Sequence, residues 1–131
     1  MITADTNIYI SAIQFGGKPE RLLHNAIDGD IQIAISEPIL NEVLRILCDK
    51  FARSEVELVK IEALIRGLTH MVIPIQMLSV VVDDPDDNRI VECAVASNSG
   101  FIVTGDKDLL RMGEYAGIKI MNVADYLHRS D

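Results

Sequence analysis

Two periods alternate along the chain. Short apolar runs of strand length occur at "MITA" (1–4), "IQIAI" (31–35), "HMVIPI" (70–75), "FIVTG" (101–105) and "IKIMN" (118–122). Between them, apolar positions recur every three or four residues, as on a helix with one buried side. Pro19 to Asp28 groups Leu22, Leu23, Ala26 and Ile27. Glu37 to Phe51 groups Leu40, Val43, Leu44, Leu47 and Phe51, with Ser36 as N-cap and Pro38 in the tolerated first turn. Ser54 to Leu68 groups Val56, Val59, Leu64 and Leu68, and Pro85 to Asn98 forms a further helix. A short helix is expected over Lys107–Met112, and another starts near Thr6. Strands alternating with helices predict an α/β fold, a mostly parallel sheet of about five strands covered by helices. In such sheets, sites form at the carboxyl ends of the strands.

A chain of 131 residues suits one domain, 1–131, and neither a repeat nor a Pro/Gly/Ser-rich linker divides it. With 49% hydrophobic residues it can build a core without disulfides. The N-terminus "MITADTNIYI" lacks a basic segment followed by a long apolar run, so no signal peptide is read and a cytoplasmic location is expected. The longest apolar stretch, Met71 to Val82, is broken by Pro74, Gln76 and Ser79 and falls short of the ~20 residues that span a bilayer. Cys48 and Cys93 are isolated in apolar surroundings and read as buried free thiols. His24, His70 and His128 have no zinc-ligand spacing. A net charge of −8 argues against nucleic acid, whose phosphates it repels, unless the acids converge on cations.

The acids decide between those cases. Asp83, Asp84, Asp86 and Asp87 crowd the start of the helix after residue 85. Asp84 can cap that helix with Pro85 as its first residue, and acids in the first turn suit the macrodipole. Capping does not explain Asp87, which shares a stripe with Ile90, Val91 and Ala94. A carboxylate buried there needs a cation, helix amides or a metal. Asp5 either caps the helix beginning near Thr6 or faces a ligand at the end of the first strand, beside Thr6 and Asn7. Asp106 and Asp108, in "TGDKDLL" (104–110), either cap the short helix or line a ligand-facing turn, with Thr104 positioned to hold an acid and Lys107 to balance charge. If the first and fourth strands are parallel neighbours, Asp5 and Asp106 meet on one rim. Glu42 lies opposite Leu40, Val43, Leu44 and Leu47, as a solvated glutamate would, although Ile39 and Ile46 partly cover its face. Like charges 4 Å apart repel by about 4 kcal/mol at an effective dielectric near 20. Convergent carboxylates therefore call for a hard divalent cation such as Mg²⁺ or Mn²⁺, a site suited to attack on phosphate, with Lys18, Arg21, Arg45, Lys50 or Arg53 available for flanking phosphates.

In order along the chain, "ITADTNIYISAI", "SEPILNEVLRIL", "DPDDNRIVECAVASNSGFIVTGDKDLL" and "IKIMNVADYL" resemble the PIN-domain nucleases, most closely prokaryotic toxin components of toxin–antitoxin pairs related to VapC-type toxins. The resemblance implies a three-layer α/β/α fold and an Mg²⁺- or Mn²⁺-dependent endoribonuclease that cuts RNA with a metal-activated water. It implies Asp5, Glu42, Asp87 and Asp106 as catalytic, metal-holding acids. Asn7 and Thr104 become polar helpers, Asp108 an auxiliary acid, and Asp86 a neighbour of the site. It further implies a cognate antitoxin protein and a homodimer or higher homo-oligomer. Two other readings stand beside it. One is a receiver- or phosphatase-like phosphoryl-transfer protein with Asp5 as nucleophile, although Asn7 stands where a phosphatase carries a second aspartate. The other is a non-catalytic acidic binding domain that keeps its acids for stability.

Overall fold

A computed structural model describes residues 1–81 and 84–129. Seven helices and six strands are found among them. The chain runs β1 (Ile2–Ala4), α1 (Thr6–Phe15), α2 (Gly17–Ile27), β2 (Ile33–Ile35), α3 (Glu37–Asp49), α4 (Glu55–Leu68) and β3 (His70–Met71). It continues through α5 (Asp87–Ala96), β4 (Phe101–Val103), α6 (Lys107–Met112), β5 (Glu114–Tyr115), β6 (Ile118–Met121) and α7 (Val123–His128).

The sheet order is β3-β2-β1-β4-β6-β5, parallel except for β5 against β6. This is the α/β architecture read from the alternating periods. The β5–β6 hairpin adds a strand too short to register as an apolar run. Its Ala116-Gly117 turn has both residues at positive φ, as a two-residue hairpin matched to sheet twist requires. Every residue of β1 and β2 is buried, so both faces of the sheet are covered. On the face towards α5, the Thr3 hydroxyl meets Ser99 at 2.9 Å and Cys93 Sγ at 3.8 Å.

Local signals set the helix ends. Ser54 and Glu57 form a reciprocal capping box at α4. Ser36 caps α3 through its backbone, and Pro38 occupies the first turn as expected. On α3, Ile39 is buried together with Leu40, Val43 and Leu47, so the covered arc is wide and reaches the flank carrying Glu42.

Three expectations are corrected. On α4 the buried positions are Ile61 and Ile65, while Val56, Val59 and Leu64, grouped as its apolar side, are exposed. The third strand ends at Met71 rather than Ile75: Val72 N–H still bonds Ile35 at 2.8 Å, but Pro74 has no N–H to offer, and Ile73 and Ile75 are exposed. Cys48 is exposed while Cys93 is buried, because Cys48 sits a helical step beyond Leu47 and off the covered arc.

Candidate metal centre

The chain passes from β1 to β2 on one side of the sheet, and β4 lies against β1 on the other. The junction of β1 and β4 is therefore a switch point, where a crevice opens beyond the carboxyl ends of the strands. The register pairs Ala4 with Val103, and Asp5 N–H reaches Val103 O at 2.9 Å. The two strands deliver Asp5 and Thr104 side by side, and the Thr104 hydroxyl donates to Asp5 Oδ2 at 2.6 Å. Both residues are buried. Burial raises the Asp5 pKa, the Thr104 hydrogen bond opposes it, and the charge of Asp106 adds to it.

Asp106 is half-buried at the mouth of α6. Its Oδ1 accepts from the amides of Asp108 at 2.9 Å and Leu109 at 3.1 Å, and its own N–H donates to Thr104 Oγ1 at 2.9 Å. It is thus a true helix cap, and Thr104 ties it to Asp5. Capping uses Oδ1, so the two readings of Asp106, cap and ligand-facing acid, coexist.

Opposite stands the start of α5. Asp84 Oδ1 accepts from Asp86 N–H at 3.2 Å. It is not the N-cap expected of it, nor is Pro85 the first helical residue: the chain first turns tightly through bonds from Asp87 N–H to Asp84 O and from Asn88 N–H to Pro85 O, so α5 begins at Asp87 with Asp86 in the cap position and without a side-chain cap bond. Asp83 lies outside the described residues. Asp87 follows on the same side as Ile90, Val91 and Ala94, all of them buried, and is itself only 6% exposed. Its Oδ2 has no hydrogen-bond partner among the described residues. Carboxylate oxygens of Asp84, Asp87 and Asp106 all lie within 4.8 Å of one another. Burial pushes the Asp87 pKa up to about 8, helped by a side-chain hydrogen bond and charge from Asp106 and by the charges of Asp5 and Asp84.

Glu42 stands further out, half-buried on α3 and not part of that close trio. Burial raises its pKa and so does the charge of Asp86, with Arg45 opposing. Weaker contributions from Asp5 and Asp84 place it within electrostatic reach of the same crevice. Asn7 and Asp86 are exposed at the rim. Asp108 turns to Arg111 at 3.4 Å and does not join the trio. Arg53 is occupied by Gln14 and Glu57, and Arg45 lies 3.8 Å from Asp49.

Of the acids singled out from the sequence, Asp87 and Asp106 meet directly, Asp5 adjoins them and Glu42 flanks them. Asp84, assigned only a cap, belongs with the closest group. Its signal was the density of aspartates itself: a cap needs one, and this stretch supplies more. The donor set fits a divalent cation. The oxygens are hard, they converge, and Asp87 Oδ2 is buried with no hydrogen-bond partner among the described residues.

Comparison with curated proteins finds no match. The family profile described as PIN domain matches residues 2–108, the span that carries Asp5, Glu42, Asp84, Asp87 and Asp106. PIN domains are in general metal-dependent nucleases, and the acidic cluster is compatible with that function. With most of its length matched by that profile, from β1 into α6, the chain belongs to the PIN-domain family.

Proposed function

We propose that this protein is a metal-dependent endoribonuclease that hydrolyses RNA phosphodiester bonds, acting in the cytoplasm as the toxin of a toxin–antitoxin pair, with a cognate antitoxin protein as its partner. The observation that carries the reading is the convergence of Asp84, Asp87 and Asp106 beside Asp5, with Asp87 Oδ2 buried and unpartnered. Asp87, Asp106 and Asp5 would hold Mg²⁺ or Mn²⁺, with Glu42 and Asp84 completing the acidic wall. A divalent cation so held supplies Lewis acidity towards a phosphate oxygen and lowers the pKa of water.

The chain's own groups do the rest. Thr104 fixes Asp5 and the Asp106 backbone together, so the two strand-end acids keep one geometry. The α6 amides fix Asp106 Oδ1. Asp87, whose carboxyl burial pushes up to about 8, would have to give up its proton to hold a cation. Glu42, raised by burial and partly open to solvent, would accept a proton from a water at the crevice.

The test is cleavage of a pool of RNAs with Mn²⁺, Mg²⁺ or EDTA, alongside Asp87→Asn. Metal-dependent cutting that the variant loses by at least about 100-fold supports the reading. Cutting that survives EDTA or Asp87→Asn sinks it. Growth arrest on expression, relieved by Asp87→Asn, tests the toxin role.

A non-catalytic reading draws on one observation, that Asp84 and Asp106 both cap chain turns. It predicts that Mn²⁺ leaves the melting temperature unchanged.

A further inference from the structure

Two helices leave the crevice side by side. α1 starts beside Asp5 at the carboxyl end of β1, and α3 starts at the carboxyl end of β2, its parallel neighbour. The two pack on each other and run away from the crevice in the same direction. On α1, Asn7, Ser11 and Phe15 recur every fourth residue and form its open stripe. On α3, Glu42, Ile46 and Lys50 follow the same spacing. Both stripes end at one place. The Phe15 ring, 76% exposed, is braced edge-on by half-buried Phe51 at 6.0 Å, and Gln14 accepts a 2.8 Å bond from Arg53. Cations gather around the rings. Lys18 and Arg21 on α2, and Lys50 beside Phe51, are exposed and make no ion pair among the described residues. Of the acids nearby, Asp49 lies 3.8 Å from Arg45, Glu57 2.8 Å from Arg53, and Glu20 3.9 Å from His24.

We propose that Phe15, braced by Phe51 and flanked by Lys18 and Lys50, is a stacking platform for an unpaired base of an RNA strand, separate from the acidic crevice. The inference takes its substrate from the nuclease reading. An exposed aromatic ring alone is common on surfaces. A ring ringed by unpaired cations matches single-stranded nucleic acid, in which every base offers a π-face and every phosphate asks for a cation. A duplex keeps its base faces stacked inside and presents none to the ring. A second copy of the chain fits poorly: pairing about a twofold axis at Phe15 would set Lys18 and Lys50 against their own copies. Distance suits one strand that reaches both places. The ten residues of α1 span about 15 Å, so the platform stands a few nucleotides from the crevice, along a stripe whose members between them, Asn7 and Ser11, are small and uncharged. Stacking also suits a chain of net charge −8, because it draws on the bases and needs few phosphate contacts.

Anisotropy of a short labelled unpaired RNA, and of the same RNA as a duplex, tests this in EDTA, where metal-dependent cutting is off. Circular dichroism confirms that each variant is folded. Phe15→Ala should weaken single-strand binding by at least about 5-fold, the low end of what losing one base–aromatic stack removes, and leave duplex binding unmoved. Lys50→Gln should flatten the single-strand salt slope by about 0.7, which Phe15→Ala should not. Val59→Ala, at an exposed apolar position on α4, should change nothing. Phe15→Trp gives the chain its sole tryptophan. It should keep the affinity, and its emission should be quenched by the single strand and not by the duplex. The proposal is overturned if the wild type binds no single strand, if Phe15→Ala leaves that affinity unchanged, or if it weakens the duplex equally. An oligomer seen in sedimentation that Phe15→Ala dissolves, with RNA affinity untouched, would assign the ring to a protein contact and also overturn it. Phe15-dependent RNA binding without metal-dependent cutting would keep the platform and remove the nuclease reading; metal-dependent cutting with affinity indifferent to Phe15→Ala would do the reverse.

Discussion

Asp87 concentrates the chemistry of the molecule in one side chain. Its carboxyl is raised from 3.8 to about 8, first by burial and then by Asp106, Asp5 and Asp84. In the metal-free protein the folded state therefore keeps a proton that the unfolded chain loses above about pH 4. Its contribution to stability is complete below pH 4 and disappears as pH rises through about 8. Asp87→Asn keeps the shape and removes the ionisation. In EDTA at pH 8 its melting temperature should exceed that of the wild type by roughly 3–8 °C, with a flatter profile between about pH 4 and 8, as measured by scanning fluorimetry. Mn²⁺ should reverse the order. At a hundred times its dissociation constant the ion stabilises the wild type by about 2.7 kcal/mol and leaves the variant nearly unmoved. A wild type indifferent to Mn²⁺ would favour the capping role of these acids. Thr104→Val is the companion change. It leaves Asp5 buried without its 2.6 Å donor and frees the Asp106 amide, so Mn²⁺ affinity by calorimetry should fall about 10- to 100-fold while the fold persists.

At the scale of elements, α5 both presents Asp87 and fastens the chain that leads into it. The Asn88 side chain bonds the N–H and the C=O of Val81, at 2.8 and 3.2 Å. Glu92, buried and clamped by Arg89 through two 2.7 Å bonds, accepts from Leu78 N–H. Asn88→Ala leaves two buried backbone groups of Val81 without partners and should cost about 1–3 kcal/mol in denaturant unfolding. It should also speed hydrogen exchange at the Val81 amide while leaving the central β1 amides protected. This fastening explains what could be read from the sequence and what could not. The periods exposed α3, α5 and the central strands, because each buries a regular face. The burial of Asp87 was legible because its neighbours three, four and seven positions on are apolar. Asn88 and Glu92 were not legible: on a helix start they look like solvated polar residues, and only the returning segment at 78–81 covers them. The strand expected to 75 failed for a related reason. Its apolar residues are as hydrophobic as those of a core strand, but β-periodicity does not report which side is covered, and here three of them face outward. Asp84 was misjudged because a cap and a member of a carboxylate group are the same residue in sequence.

For the whole molecule, the proposed RNA substrate raises the question of how a chain of net charge −8 would hold it, and the arginines sharpen it. Arg53, Arg66, Arg89 and Arg111 are paired with carboxylates of the chain itself, Arg45 lies near Asp49, and Arg129 stacks on the Phe101 and Tyr126 rings. Lys18, Arg21, Lys50 and Lys107 are exposed, the last beside Asp106. If only two or three of these meet phosphates, counterion release sets a shallow salt dependence. The slope of log K against log salt for a single strand should be about −2 or less steep. The larger share of the attraction would then have to come from divalent ions in the acidic crevice, which would turn a repulsive wall into a phosphate site. EDTA should therefore weaken binding of a short RNA, followed by anisotropy, more than a rise from ~50 to ~200 mM salt does. Asp87→Asn should reproduce the EDTA effect without changing the slope. A steep slope near −5, or binding indifferent to EDTA, would place the RNA on a basic surface and remove the acidic crevice from recognition. The expected pattern would instead mean that the same aspartates which repel nucleic acid when empty are what bind it when loaded.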